Sequence, residues 1–244
     1  MSKPASPKGL QAIVAAALVS LNVSGCGAGQ ASRAEPVAGA EPIAAAGHSG
    51  PAIAQSCPGG LLEDAEDGDD QAGNNGYWYS YVDEVGSKVD PGKEFKLASA
   101  GHDSEGAVRM QGSLSRGEDV YAGVGFGLKE GGSYDASKFG ALTFWAKAAS
   151  AGQKLRVKVP DVNTAPEGKK CSECYNDFGV DVPLKAEWTR YVVPFGAMKQ
   201  ESDWGAPRPA SVDRSRLYGV QFQVSEPGAT FDVWLDDIEF TGCQ

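Results

Sequence analysis

The stretch T-F-D-V-W-L-D-D-I-E-F-T-G-C, residues 230–243, decides how the fold is read. At a period of two, Phe231, Val233 and Leu235 share one face of an extended strand. Ile238 and Phe240 fall on the opposite parity. The switch sits at Asp236 and Asp237, and this predicts a β-bulge there. A bulge frees backbone carbonyls beside two carboxylates. Hard cations seek such oxygen clusters, and calcium is the common one outside the cell. The plainer alternative is a solvated strand with a charged rim.

Outward from this strand, composition narrows the class. The chain has 244 residues and a formal net charge of −10, which argues against double-stranded nucleic acid as a partner, because phosphate binding needs a cationic face. Glycine is abundant and long apolar helical patterns are few, which favours an all-β domain with many turns. The only histidines are His48 and His102. A His-rich zinc site is therefore unexpected, and a Ser-His-Asp triad would have to use His102.

Lys3 and Lys8 precede an apolar run over residues 13–21, too short for a bilayer-spanning helix and suited to a signal peptide. The run leads into L-N-V-S-G-C, residues 21–26. Val23, Ser24, Gly25 and Cys26 resemble the bacterial lipobox, which implies a lipidated Cys26 as the mature N-terminus. Gly27 follows it, not Asp, which implies the outer membrane of the cell envelope. Residues 1–26 are thus expected to be a signal peptide. Residues 27–56, rich in Ala, Gly and Pro, read as a flexible tether, and residues 57–244 as the folded domain. Export implies an oxidising compartment. Four cysteines follow Cys26. Terminal strands of sandwiches often lie side by side, so of the three possible connectivities the first choice is Cys57–Cys243 with Cys171–Cys174.

Residues 61–66 read as a first strand leading into acids that fill six of the eight positions 63–70. These do not follow the EF-hand spacing, because glycine falls at the wrong position and no closing Glu follows. They read either as an exposed acidic turn or as partners of Asp236 across neighbouring terminal strands. In G-Y-W-Y-S-Y-V, Tyr77, Tyr79 and Tyr81 share one face, apolar in the ring and polar at the tip. Residues 119–128 alternate Val120, Ala122, Val124, Phe126 and Leu128 with Tyr121, Gly123, Gly125 and Gly127. A glycine row weakens a strand. It suits a floor that a ligand approaches closely, or close packing by the protein's own chain. Further strands follow at residues 107–114, 140–147, 155–159 and 188–195, the last with Pro194 at an edge or bulge. Residues 217–225 place Tyr218, Val220, Phe222 and Val224 inward, with Gln221 and Gln223 outward as paired donors and acceptors for hydroxyls. Short helical turns are expected at residues 135–139 and 196–201. The C-x-x-C at Cys171 and Cys174 lies in a loop with no βαβ pattern, so a structural disulfide is preferred to zinc or redox chemistry. About nine strands with closely spaced turn signals make a β-sandwich.

Several of these pieces fall in an order that resembles a jelly-roll carbohydrate-binding module, most like family 11 and its galactose-binding-like relatives. They are D-A-E-D-G at 64–68, G-Y-W-Y at 76–79, Y-D-A-S-K-F-G-A-L-T-F-W-A-K at 134–147, W-T-R-Y-V-V-P-F at 188–195, Q-x-x-x-W-G at 200–205 and W-L-D-D-I-E-F at 234–240. The resemblance implies an all-β jelly-roll sandwich and a structural calcium held by Asp64 or Glu66 together with Asp236. It implies a monomer whose concave, tyrosine-lined groove binds a polysaccharide such as a β-glucan without cleaving it. Strand parity offers Tyr79, Tyr81, Tyr121, Gln221 and Gln223 for that groove, and Asp161 at a strand end over the cysteine loop. Ala65 stands where relatives carry Phe, and the Cys171–Cys174 loop departs from the family pattern, pointing to a different glycan. The competing readings are a hydrolase or lyase of the same fold, and a protein assembly factor on the same sandwich. Family modules are often fused to glycosidases, but the chain leaves no room for one beside the sandwich, so no catalysis is expected.

Overall fold

In a computed structural model the described residues are 51–73, 75–92 and 94–243. The expected signal peptide, Cys26 and most of the tether lie outside them. Thirteen strands run in chain order: β1 (Ser56–Glu63), β2 (Gln71–Ala72), β3 (Gly76–Val82), β4 (Lys88–Asp90), β5 (Ala98–Ser99), β6 (Gly106–Ser113), β7 (Ala122–Gly127), β8 (Ala141–Ala148), β9 (Lys154–Val159), β10 (Phe178–Pro183), β11 (Thr189–Pro194), β12 (Gly219–Val224) and β13 (Thr230–Thr241). They form two antiparallel sheets. One follows the order β11-β8-β13-β6-β4, with β1 beside β13 and β5 beside β6. The other follows β10-β9-β12-β7-β3-β2. This is the expected β-sandwich, with short added edge strands that alternation alone does not reveal.

The core lies between the sheets. Alternate residues of β12 (Val220, Phe222, Val224) and β13 (Phe231, Val233, Leu235) are buried within it. Trp78 stacks on Phe95 at 5.1 Å and meets Phe126 at 4.7 Å, so the inward ring of the tyrosine strand is a core residue.

The parity switch in β13 is a change of neighbour. Residues up to Leu235 pair with β6, whereas Ile238, Glu239 and Thr241 pair with β1. On the other side the register against β8 shifts between Asp236 and Glu239, and Asp237 sits at φ +46°. A bulge lets one strand change partners while both halves keep an apolar side toward the core. The Cys57–Cys243 disulfide ties the same two terminal strands, and Cys171–Cys174 closes the short loop, both as expected.

Three local expectations are corrected. β1 starts and ends earlier than residues 61–66: Ala65, at φ +57°, lies in a turn. The D-A-S-K-F segment is a turn closed by Phe139 N–H donating to the Ala136 carbonyl, not helix. Near 196–201 only Phe195–Ala197 is helical, as one 3₁₀ turn. Pro194 does end an edge strand, β11.

Candidate functional site

The outer face of the β10-β9-β12-β7-β3-β2 sheet forms a groove of about 1480 Å³. Register builds its floor. Tyr79, Gly125, Gln221, Lys158 and Gly179 are successive partners across five strands. Tyr81, Gly123, Gln223, Arg156 and Asp181 form the next row. These rows lie two residues apart along each strand, so both face the same way.

The glycine row is a recess, not a bare floor. A Cβ on Gly123 would stand 2.7 Å from the Tyr81 ring and 2.4 Å from the Phe222 carbonyl. On Gly125 it would stand 3.0 Å from Tyr79 Oη and 2.9 Å from Gln221 Cγ. Only a strand without side chains leaves room for two tyrosines at that depth. Gly127 is open, with nothing nearer than 3.9 Å. Tyr79, Tyr81 and Tyr121 run as neighbours with ring centroids 6.1 and 6.2 Å apart. Tyr121 is set by Asp83, whose carboxylate accepts from the Tyr121 N–H at 2.9 Å and from Val85 and Ser87. Burial pushes the Asp83 carboxyl up, but these donors, Ser87 first, outweigh it and hold it below its ordinary value.

The polar groups form a network that is incompletely satisfied. Gln221 Nε2 donates to Tyr79 Oη at 2.9 Å, and Lys158 Nζ donates to Gln223 Oε1 at 3.1 Å. Lys158 Nζ lies 3.7 Å from Asp177 Oδ2, with both side chains almost wholly buried. Burial pushes the Lys158 ammonium down and the Asp177 carboxyl up, while each charge counters the shift of the other. Three buried atoms of the lining have no hydrogen-bond partner: Tyr81 Oη, Gln221 Oε1 and Asp177 Oδ1. Burial pushes the Tyr79 hydroxyl up to about 12 and that of Tyr81 well above its ordinary value, so both phenols keep their protons at neutral pH.

Five of the six expected groove residues are therefore brought together: Tyr79, Tyr81, Tyr121, Gln221 and Gln223. Asp161 is not among them. It is wholly buried, and its carboxylate accepts the N–H groups of Asn163, Thr164 and Asp213, so it staples the loop instead of facing it. Tyr218, read as inward, lines the groove. Arg156, Lys158, Asp177, Glu201 and Trp204 also line it and were missed. For Arg156 and Lys158 the signal was present, since Leu155, Val157 and Val159 point inward and their alternates must point out. Asp177, Glu201 and Trp204 lie outside regular strands, where no period marks a face.

The expected calcium residues gather at one corner but do not make a cage for the ion. Asp236 is fully buried, with its oxygens taken by the N–H groups of His102 and Asp237 and by Ser104 Oγ. Glu66 accepts from Gly106 and Glu105, and Asp64 from the N–H of Glu66. Among the described residues no group of three or more His, Cys, Asp or Glu side chains is placed to hold a metal.

The other sheet also carries tryptophans on its outer face, but their rings are covered. His102 stacks on Trp145 at 3.6 Å, Lys147 lies over Trp188 and Trp234, and Arg109 lies over Trp234 while paired to Asp232. The exposed aromatics concentrate in the groove.

Comparison with known proteins agrees with this geometry. Endoglucanase 3 of Fibrobacter succinogenes is 25% identical over 173 residues, which is 68% of this chain and 24% of that enzyme. The chain thus spans about a quarter of the length of that relative. A family 11 carbohydrate-binding module from Clostridium thermocellum, in complex with a β-1,3-1,4-mixed-linked tetrasaccharide, superposes with a TM-score of 0.56 at 17% identity, covering 75% of this chain and 95% of that module. A family 30 carbohydrate-binding module superposes with a TM-score of 0.50 at 15% identity, covering 75% and 88%. Both likenesses show the fold, a jelly-roll β-sandwich. Residues 69–242 match the family described as carbohydrate binding domain 30, and the chain belongs to that family.

Proposed function

We propose that this chain is a non-catalytic polysaccharide-binding protein, held by a lipid on Cys26 at the outer membrane, that takes a neutral glycan such as a β-glucan into the groove of Tyr79, Tyr81, Tyr121, Gln221 and Gln223. The observation that carries the reading is the strand register that gathers Tyr79, Tyr81, Gln221 and Gln223 on one face of the sheet, in a groove where the rings of Tyr79 and Tyr121 stay exposed. The Gln221 and Gln223 amides carry both donors and acceptors, the chemistry that sugar hydroxyls take up. The tyrosines beside them offer apolar faces for sugar rings. Two of the five acids that line the groove stand in ion pairs, Asp177 with Lys158 and Glu201 with Arg156. Hydrolysis needs a facing pair of carboxyls instead.

Electrophoresis of the full chain through gels holding mixed-linkage β-glucan tests this. Retardation is expected, weakened roughly tenfold by Tyr79→Ala. In Tyr81→Phe, removal of the orphaned, buried hydroxyl should stabilise the free protein by about 1 kcal/mol, read from urea denaturation. No retardation by any glycan, or a Tyr79→Ala variant retarded as strongly as the parent, would count against the reading. Incorporation of labelled fatty acid, lost in Cys26→Ala, tests the anchor.

A further inference from the structure

We propose that Tyr175 and Trp204, fastened by the Cys171–Cys174 loop, form a second sugar-stacking platform on the flank of the groove across from the tyrosine strand. This deepens the glycan-binding reading and rests on it. Among the described residues, five of the eight exposed large hydrophobic side chains line the groove: Tyr79, Val82, Tyr121, Tyr175 and Trp204. Tyr79 belongs to β3. Tyr175 lies just before β10, and three strands separate those two in the sheet. At about 4.8 Å per strand the flanks stand roughly 19 Å apart, the span of several glycosyl units and beyond the reach of one.

The flank is built to be rigid. Ser172 and Glu173 donate backbone N–H groups to the Ala206 carbonyl, and Ala206 N–H returns to Glu173 O at 3.0 Å. Glu173 Oε2 accepts from Gly205 N–H. Asn176 Nδ2 donates to the carbonyls of Trp204 and Glu201, and Asn176 Oδ1 accepts from Glu201 N–H. Gly205, at φ +85°, packs so closely that a Cβ would stand 2.6 Å from Asn176 Cβ. Trp204 Nε1 donates to Glu201 Oε2 at 3.1 Å, which fixes the indole edge while the ring stays 37% exposed. Tyr175 sits at φ +76°, a left-handed conformation that a bulky residue rarely adopts, and it is 64% exposed. Folding gains little from holding two aromatic side chains out in water. A ligand with apolar ring faces gains from finding them already ordered. The disulfide ends one residue before Tyr175 and closes the loop whose Ser172 and Glu173 pair with Ala206.

The test is calorimetric titration of the full chain with mixed-linkage β-1,3-1,4-gluco-oligosaccharides from disaccharide to hexasaccharide. For the parent, affinity should rise with length. Trp204→Ala and Tyr175→Ala should each weaken hexasaccharide binding roughly three- to tenfold and leave disaccharide binding unchanged, which flattens the length dependence. Trp204→Phe keeps a ring and should retain most of the gain. Cys171→Ser with Cys174→Ser should flatten the length dependence as the alanine variants do. Variants that follow the parent at every length, or that lose affinity equally at every length, overturn the second platform while leaving the groove as a binding site. A parent that binds no member of the series overturns both readings.

Discussion

At the scale of single residues, two positions carry most of the argument. Gly125 lies where Tyr79 and Gln221 descend onto β7. Gly125→Ala is therefore expected to cost about 1–3 kcal/mol by overpacking and to weaken glycan binding, because the new methyl pushes Tyr79 Oη and the Gln221 stem out of place. Gly127→Ala, with open space above it, should change stability by less than about 0.5 kcal/mol. Urea denaturation and affinity gels of the two variants check this. Glu63 is the second position. It is buried, its carboxylate accepts from Trp78 Nε1 and Ala65 N–H, and burial pushes its pKa up to about 7 despite those donors. A raised carboxyl pKa stabilises the fold fully below the unfolded value of 4.5, and that contribution is lost as pH rises through about 7. The melting-temperature difference between the parent and Glu63→Gln should therefore move against the parent across that window. A flat difference would show that Glu63 does not titrate there. Neither position could be singled out from sequence. The glycine row was visible, but whether a ring or a ligand fills it depends on strands far apart in the chain. Glu63 was one of six clustered acids, and only burial beneath Trp78 separates it from the solvated ones.

At the scale of elements, the bulge and the two disulfides show what alternation predicts and where it stops. The parity switch in β13 was legible because core exclusion acts on every second residue, and a slip of one changes which face is apolar. That the switch marks an exchange of neighbours, β6 for β1, needed the register. β1 pairs irregularly, with register shifts at both of its intervals, so its own ladder holds it weakly. Cys57–Cys243 compensates by closing a separation of 186 residues. Loop entropy then predicts a loss of about 3–5 kcal/mol in the Cys57→Ala, Cys243→Ala double variant. The Cys171–Cys174 pair closes a separation of only 3, and its removal should cost under about 2 kcal/mol. Urea midpoints of the two double variants should therefore differ widely. Equal losses would contradict the chain-entropy account.

At the scale of the whole molecule, the acidic corner separates family expectation from this chain. With Asp236 and Glu66 already satisfied by His102, Ser104, Asp237, Glu105 and Gly106, the melting temperature is expected to be the same in millimolar calcium as in chelator. A calcium-dependent rise, lost in Asp236→Ala, would place an ion there after all. The sequence by itself determined the class of fold, the inward and outward faces of its longer strands and the bulge, and it offered the cysteine pairing as a first choice among three that the structure then made. The strand faces and the bulge follow from rules that act locally, on alternate side chains. Tertiary structure alone decided that Arg156 and Lys158 join the tyrosines and glutamines, that Asp161 turns inward, and that Asp177, Tyr175 and Trp204 complete the wall. Those placements depend on which strands are neighbours and on loops strapped from opposite sides, and no period along the chain encodes contacts of that kind.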